Sequence, residues 1–296
     1  MGGGTWTTSA FCNYSTSVGR TYDTVKCSFD TAYTSQEMFK QKYIHELLNP
    51  KNVMRECRAS EEHPNPLPVL FGLDVTGSMG QAAVTCASTI NTIMNELLAK
   101  YKDIQFCVMG VGDLSCDDAP IQISQYESDV RIAEAMDRVY FEYGGGGNSY
   151  ESYTAAWYMG SRHCDLDCWK NGKKGIIITL GDEQINPYLP RTALNEVTGD
   201  SVQSDVETRD LFEEASKKFH IFHIDVDHRA LRHDPMIEPS WKEYLDDEHF
   251  KRVSLNEVAN TIVEMIASVA EAQEDSEPVI VADPAIKTNE NGEIIW

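Results

Sequence analysis

The chain has 296 residues, 42% of them apolar, enough for one substantial core and too apolar for a disordered polymer. Asp and Glu number 47 against 25 Lys and Arg. The resulting net charge of -22 argues against nucleic acid or an anionic membrane as partner, since both are held by basic patches. Most of these acids need no role beyond solubility. No apolar run reaches the ~20 residues of a membrane span, and MGGGTWTTSAFC lacks the basic start and apolar stretch of a signal peptide, so a cytoplasmic protein is expected. Met1-Gly2 suggests myristoylation, but Trp6 stands where a hydroxyl is required. Eight cysteines over this length read as thiols, not as a disulfide framework.

In chain order, residues 1 to 34 are rich in Thr, Ser, Tyr and Gly without clean alternation, which predicts irregular or edge-strand structure. SQEMFKQKYIHELL then predicts a helix capped by Ser35, with Met38, Phe39, Tyr43, Ile44, Leu47 and Leu48 on one face and Pro50 as its stop. A polar, proline-punctuated connection leads to Leu67. From Leu67 to Leu73 the sequence is continuously apolar, and Met79, Ala83, Ala87, Ile90, Met94, Leu97 and Tyr101 recur at helical spacing. IQFCVMGV (Ile104 to Val111) is a second buried strand, and PIQISQY (Pro120 to Tyr126) an antiparallel edge strand. Helices are expected over Ser128 to Val139 and over Ser149 to Gly160. GIIITLGDE (Gly175 to Glu183) is a third strong strand, and FHIFHIDVD supplies one more. Ser204 with Glu207, and Ser254 with Glu257, have the spacing of capping boxes that open helices.

Strands of this kind alternating with helices imply an α/β fold: a doubly wound, mainly parallel sheet with one antiparallel edge strand and helices on both faces. The expected organisation is an N-terminal extension over 1–66, one α/β domain over 67–270 and an acidic C-terminal arm over 271–296. Ligands of such sheets bind beyond the carboxyl ends of the strands, where strand order reverses. Asp74 and Asp182 both stand at such ends.

Asp74, Thr76 and Ser78 alternate in LDVTGSMG and can converge as three hard oxygen donors, the kind that Mg2+, Mn2+ or Ca2+ prefers. A capped helix start needs only one such side chain. EYGGGGNSYESY brings Asn148 and Ser149, either of which can reach a metal or cap the next helix, and Asp182 offers a second carboxylate. Asp113, a turn-type residue, and Glu183 stand in supporting positions. His163, Cys164 and Cys168, with His220 and His223, are zinc-ligand types, but C-x3-C beside one His is a weak zinc pattern and HIFH alternates as a strand does.

DVTGSMG after a buried strand resembles the DxSxS signature of the metal-ion-dependent adhesion site in von Willebrand factor type A domains, with Thr76 at the first serine. The resemblance spans roughly Leu67 to Ala270. It implies a metal-dependent protein-binding module: Thr76 and Ser78 on the ion, Asp74 and Asp182 on it directly or through water, and an Asp or Glu of a partner protein completing the shell. Two departures stand out. The family's third segment offers a threonine where this chain has Asn148 and Ser149, and its aspartate directly follows the strand's threonine, where Leu180 and Gly181 intervene here.

Enzyme signatures fail in turn. Thr76 occupies the acid/base position of a haloacid dehalogenase DxDxT motif, Gln81 breaks the TGxxxGxG dehydrogenase fingerprint, and neither GxxxxGK[ST] nor GxSxG is present. No catalytic residue is therefore assigned. A metal-assisted hydrolase is the alternative of a different class, although the sequence shows no general base for it. A subunit recruited to a larger machine such as an AAA+ ATPase, through its acidic surface or tail, is a third reading.

Overall fold

In a computed structural model of the chain the structure describes residues 4–20, 22–23, 28–29, 35–143, 148–228 and 234–275. Six strands form the main sheet: β1 (Leu67–Asp74), β2 (Ile104–Val111), β3 (Ile121–Ile123), β4 (Gly175–Gly181), β5 (Phe219–Asp227) and β6 (Phe250–Ser254), in spatial order β6-β5-β4-β1-β2-β3. All neighbours run parallel except β3, which pairs antiparallel to β2 at the edge. The expected sheet is therefore the observed one.

Besides a single turn at Ser35–Met38, the helices are α1 (Thr8–Ser17), α2 (Gly80–Ser88), α3 (Ile90–Lys100), α4 (Arg131–Asp137), α5 (Thr154–Arg162), α6 (Arg191–Thr198), α7 (Thr208–Ala215), α8 (Ile237–Lys242) and α9 (Val258–Asp275). Successive strand residues face opposite ways, and here both faces are apolar because both are covered. Val69, Phe71, Leu73, Ile176, Ile178, Phe222 and Ile224 pack with α1 to α4 and α9, whereas Leu70, Ile177, Phe219 and Ile221 pack with α5 to α8. Ser254 and Glu257 form half of the expected box ahead of α9: the Ser254 N–H and hydroxyl both donate to the Glu257 carboxylate, while the Glu257 N–H goes to the Ser254 carbonyl.

Four expectations need correction. Residues 8–17 form α1, whose Thr7 cap accepts from the Ala10 N–H; Trp6 and Phe11 are buried, and the Tyr14 hydroxyl donates to Asp137 on α4 at 2.6 Å. The helix expected from Ser35 ends at Met38, and residues Glu46–Leu48 form a separate short turn that leaves Tyr43 and Leu47 exposed. The cause is distant: the Arg55 guanidinium takes the carbonyls of Leu47, Asn49 and Ile123, fixing the segment non-helically against β3. α5 begins at Thr154, not Ser149, because the Asn186 side chain accepts from the Thr154 N–H while Tyr150–Glu151 pairs with Gln184–Ile185 as a short parallel ladder. Ser204 does not cap α7, whose preceding residue is Glu207.

In the connection before Leu67, Arg55–Cys57 also pairs as a short parallel strand with Cys164–Leu166. The last helix continues to Asp275, five residues into the expected C-terminal arm, and the rest of that arm, 276–296, lies outside the described residues, as does Cys27. The seven described cysteines are all free. Among the described residues no helix is long and apolar enough to cross a membrane.

Because Phe11 is fully buried in the same core as β1, Phe11→Ala should destabilise the whole protein by about 3–5 kcal/mol in urea denaturation. A loss below ~1 kcal/mol would show that α1 does not share the domain's core.

Candidate functional site

Chain order reverses at β1, which lies between β4 and β2, so the crevice at the carboxyl ends of β1 and β4 is the topological switch point of the sheet. Register places Leu73 beside Leu180, and hence Asp74 next to the turn that carries Asp182. Asp74 is fully buried and Asp182 nearly so. Sequence order alone thus delivers two acids to one point.

The loop after β1 is drawn around Asp74. Its Oδ1 accepts from the Thr76 N–H at 2.9 Å and from the Thr76 hydroxyl at 2.6 Å, the Thr76 and Ser78 hydroxyls lie 3.1 Å apart, and Ser78 donates to Asp182 Oδ1 at 2.9 Å. One continuous chain of oxygens therefore runs Asp74, Thr76, Ser78, Asp182. These are the four residues singled out from the first and last segments.

Two residues that sequence reasoning missed, Tyr153 and His228, join them, and a third, Glu151, lies buried nearby. Tyr153, fully buried on the turn into α5, donates its hydroxyl to Asp74 Oδ2 at 2.6 Å and accepts from the N–H groups of Asp182 (3.2 Å) and Glu183 (3.3 Å). It can reach there only because position 181 is glycine: a Cβ on Gly181 would overlap the Tyr153 hydroxyl. His228, just past β5, places Nε2 2.7 Å from Asp182 Oδ2. Glu151 is 9% exposed, and its buried Oε2 has no hydrogen-bond partner among the described residues. A carboxylate two residues past Ser149 in a glycine-led loop, just ahead of a buried tyrosine, was the available signal.

Asn148 and Ser149 do not join the cluster. Both are exposed, and the Asn148 side-chain amide donates to Asp113 Oδ2 at 2.5 Å; the buried acid of that segment is Glu151. Asp113 is a turn residue: its carboxylate accepts from the Ser115 N–H at 2.8 Å and its own N–H is held by Asp117. The Glu183 backbone carbonyl accepts from Trp241 Nε1 at 3.3 Å, tying α8 to the site. Of the zinc-type residues, His163 is occupied by the Val53 carbonyl (3.0 Å) and Asp200 (2.7 Å), and His223 is stacked on Trp241 inside the core.

The electrostatics are those of buried acids with like charges nearby. Burial pushes the Asp74 carboxyl up, and Asp182 pushes it further, against the lowering effect of its Thr76 and Tyr153 hydrogen bonds. Glu151 is raised first by burial and then by Asp74, Asp117, Asp113 and Glu183. Asp225, paired in register with Gly181, is pushed up to about 7 by burial, with Arg252 opposing. Neither Asp74 nor Glu151 pairs with a Lys or Arg among the described residues.

A hard divalent ion fits this chemistry. The donors are carboxylate and hydroxyl oxygens, and one buried carboxylate oxygen is unpartnered. Among the described residues no three His, Cys, Asp or Glu side chains group closely enough to hold an ion by themselves, so the Thr76 and Ser78 hydroxyls are needed for any such site.

No protein-family model and no curated protein matches the sequence. Among solved structures, the chain is similar to the pilus adhesin SpaC from Lactobacillus rhamnosus GG, at 10% identity and a TM-score of 0.48, over 75% of this chain and 31% of that one. It is also similar to the vWF domain of the type V pili tip protein Mfa5 from Porphyromonas gingivalis, at 10% identity and TM-score 0.45, over 72% of this chain and 97% of that one. A third is the conserved hypothetical protein BatB from Bacteroides thetaiotaomicron, at 13% identity and TM-score 0.42, over 69% of this chain and 99% of that one. The chain thus spans about a third of the SpaC adhesin. The α/β class follows from the strand order and register themselves.

Carboxyls raised on folding stabilise the folded state fully below the ordinary carboxylate pKa near ~4, and that contribution is lost as pH rises through the folded value. With chelator present, stability from Asp74 and Glu151 should therefore fall from about pH 4 upward. Asp74→Asn, which keeps an oxygen for the Thr76 N–H, should fall less steeply in urea denaturation across that range. Equal slopes for the two proteins would refute the raised Asp74 carboxyl.

Proposed function

We propose that this chain is a von Willebrand factor type A-like module that binds a protein partner through a divalent cation, Mg2+ in the first instance, with Mn2+ or Ca2+ as substitutes. The observation that carries the reading is the pair of buried acids, Asp74 beside the Thr76 hydroxyl at the switch point and Glu151 on the ladder with Ile185, neither with a Lys or Arg partner among the described residues. Such a pair is costly unless it takes up protons or a cation offsets it.

Thr76, Ser78, Glu151 and Asp182 are the residues that would hold the ion. Asp74 orients Thr76 and, through it, Ser78. Tyr153 holds Asp74 and the 182–183 turn in place, and His228 fixes Oδ2 of Asp182. The bound ion supplies positive charge in a shielded cleft, where an Asp or Glu of a partner protein is attracted to it. The likeness to pilus adhesins and to the Mfa5 vWF domain is in keeping with a binding role.

A hydrolase reading needs a free base beside the attacking water. Among the described residues the imidazole at the site is His228, whose Nε2 is engaged with Asp182.

Titration calorimetry on chelator-stripped protein tests the reading. One Mg2+ or Mn2+ should bind per chain, Asp74→Ala should abolish binding, and Glu151→Gln should weaken it about tenfold or more, as ligand-shell losses do. An acidic peptide should then bind only when the ion is present. Absence of ion binding in the folded wild type, or peptide binding unchanged by chelator, would overturn it.

A further inference from the structure

At the opposite end of β1, about 23 Å from Asp74 at strand rise, a cavity of about 670 Å³ opens between the starts of β1 and β2, the end of α3, the segment before β4 and the last helix, α9. Its size is that of a small-molecule site. Leu67, Ile104 and Ala270, all buried, and Tyr101, 7% exposed, give it an apolar part beside Asn65, Asn171 and Gln273.

The mouth is basic in a protein of charge -22. Lys100, Lys102 and Lys173 line it. Lys100 is taken by Glu271, which also accepts from the Tyr101 hydroxyl at 2.9 Å. Lys102 and Lys173 make no ion pair among the described residues, although acids outnumber bases almost two to one. The acid that lines the cavity, Asp103, is already engaged, accepting from the Asn65 N–H at 2.9 Å and lying 3.6 Å from His63. Two ammonium groups without an ion-pair partner among the described residues therefore flank a pocket with an apolar part. That is the complement of a molecule with an apolar body and an anionic head.

We propose that this cavity binds an amphiphilic organic carboxylate, with its apolar chain against Leu67, Ile104 and Ala270 and its head between Lys102 and Lys173. The assignment is independent of the metal site, from which the full length of the sheet separates it.

Decanoate is the probe, with decanol as its uncharged counterpart, both below micelle-forming concentrations and titrated calorimetrically into the full chain. One decanoate should bind per chain, and decanol at least tenfold more weakly. Lys102→Glu/Lys173→Glu should weaken decanoate at least tenfold while leaving Mg2+ binding unchanged. Lys173→Met serves as a milder second variant and should weaken decanoate measurably, with circular dichroism confirming that both variants are folded. Failure of decanoate to bind, binding equal to that of decanol, or affinity unmoved by the lysine variants would each overturn the proposal.

Discussion

The constraint on which the rest depends is the burial of the Asp74 carboxylate at the end of the central strand. A fully buried acid without a cationic partner is tolerated only if hydrogen bonds or a bound cation offset its desolvation. Here the Thr76 N–H, the Thr76 hydroxyl and the Tyr153 hydroxyl supply the hydrogen bonds, and each donor is fixed by another element. The loop after β1 cannot relax without releasing Thr76, and the turn after β4 cannot move without losing the Tyr153 oxygen that its N–H groups donate to. Gly181 is the condition for that arrangement, since any side chain there would occupy the space of the phenol.

The fold makes this geometry possible by topology before chemistry. Strand order reverses at β1, so helices leave on opposite faces and a crevice is left between the ends of β1 and β4. Two cores, one on each face, hold the sheet rigid beneath the crevice. Trp241 joins one of those cores to the site through its bond to the Glu183 carbonyl, and the stack of Trp241 on His223 continues it beneath β5. The site is thus built on packed elements, which suits a binding surface whose donors must keep their places.

The sheet was legible in the sequence because its strands are continuously apolar and its period is local. The same holds for Asp74, Thr76, Ser78 and Asp182, which stand where strands end. What was not legible depends on distant partners. The segment after Ser35 has helical periodicity, yet Arg55 holds its carbonyls in another conformation. The start of α5 is set by Asn186, thirty-two residues on, and so the Asn148 and Ser149 region reads as a helix start when it is a loop leading to a short ladder. Glu151, Tyr153 and His228 belong to the site through tertiary packing that no local pattern encodes. Asn148 was a reasonable candidate by residue type, but Asp113 claims its amide.

The central claim is that the oxygens gathered at the switch point hold a divalent cation, and crystals soaked in Mn2+ test it most directly through anomalous scattering. The account predicts one strong peak bounded by the Thr76 and Ser78 hydroxyls and the carboxylates of Glu151 and Asp182, absent from Asp74→Ala crystals. A peak elsewhere on the acidic surface, or none at this crevice in well-ordered crystals, would contradict it.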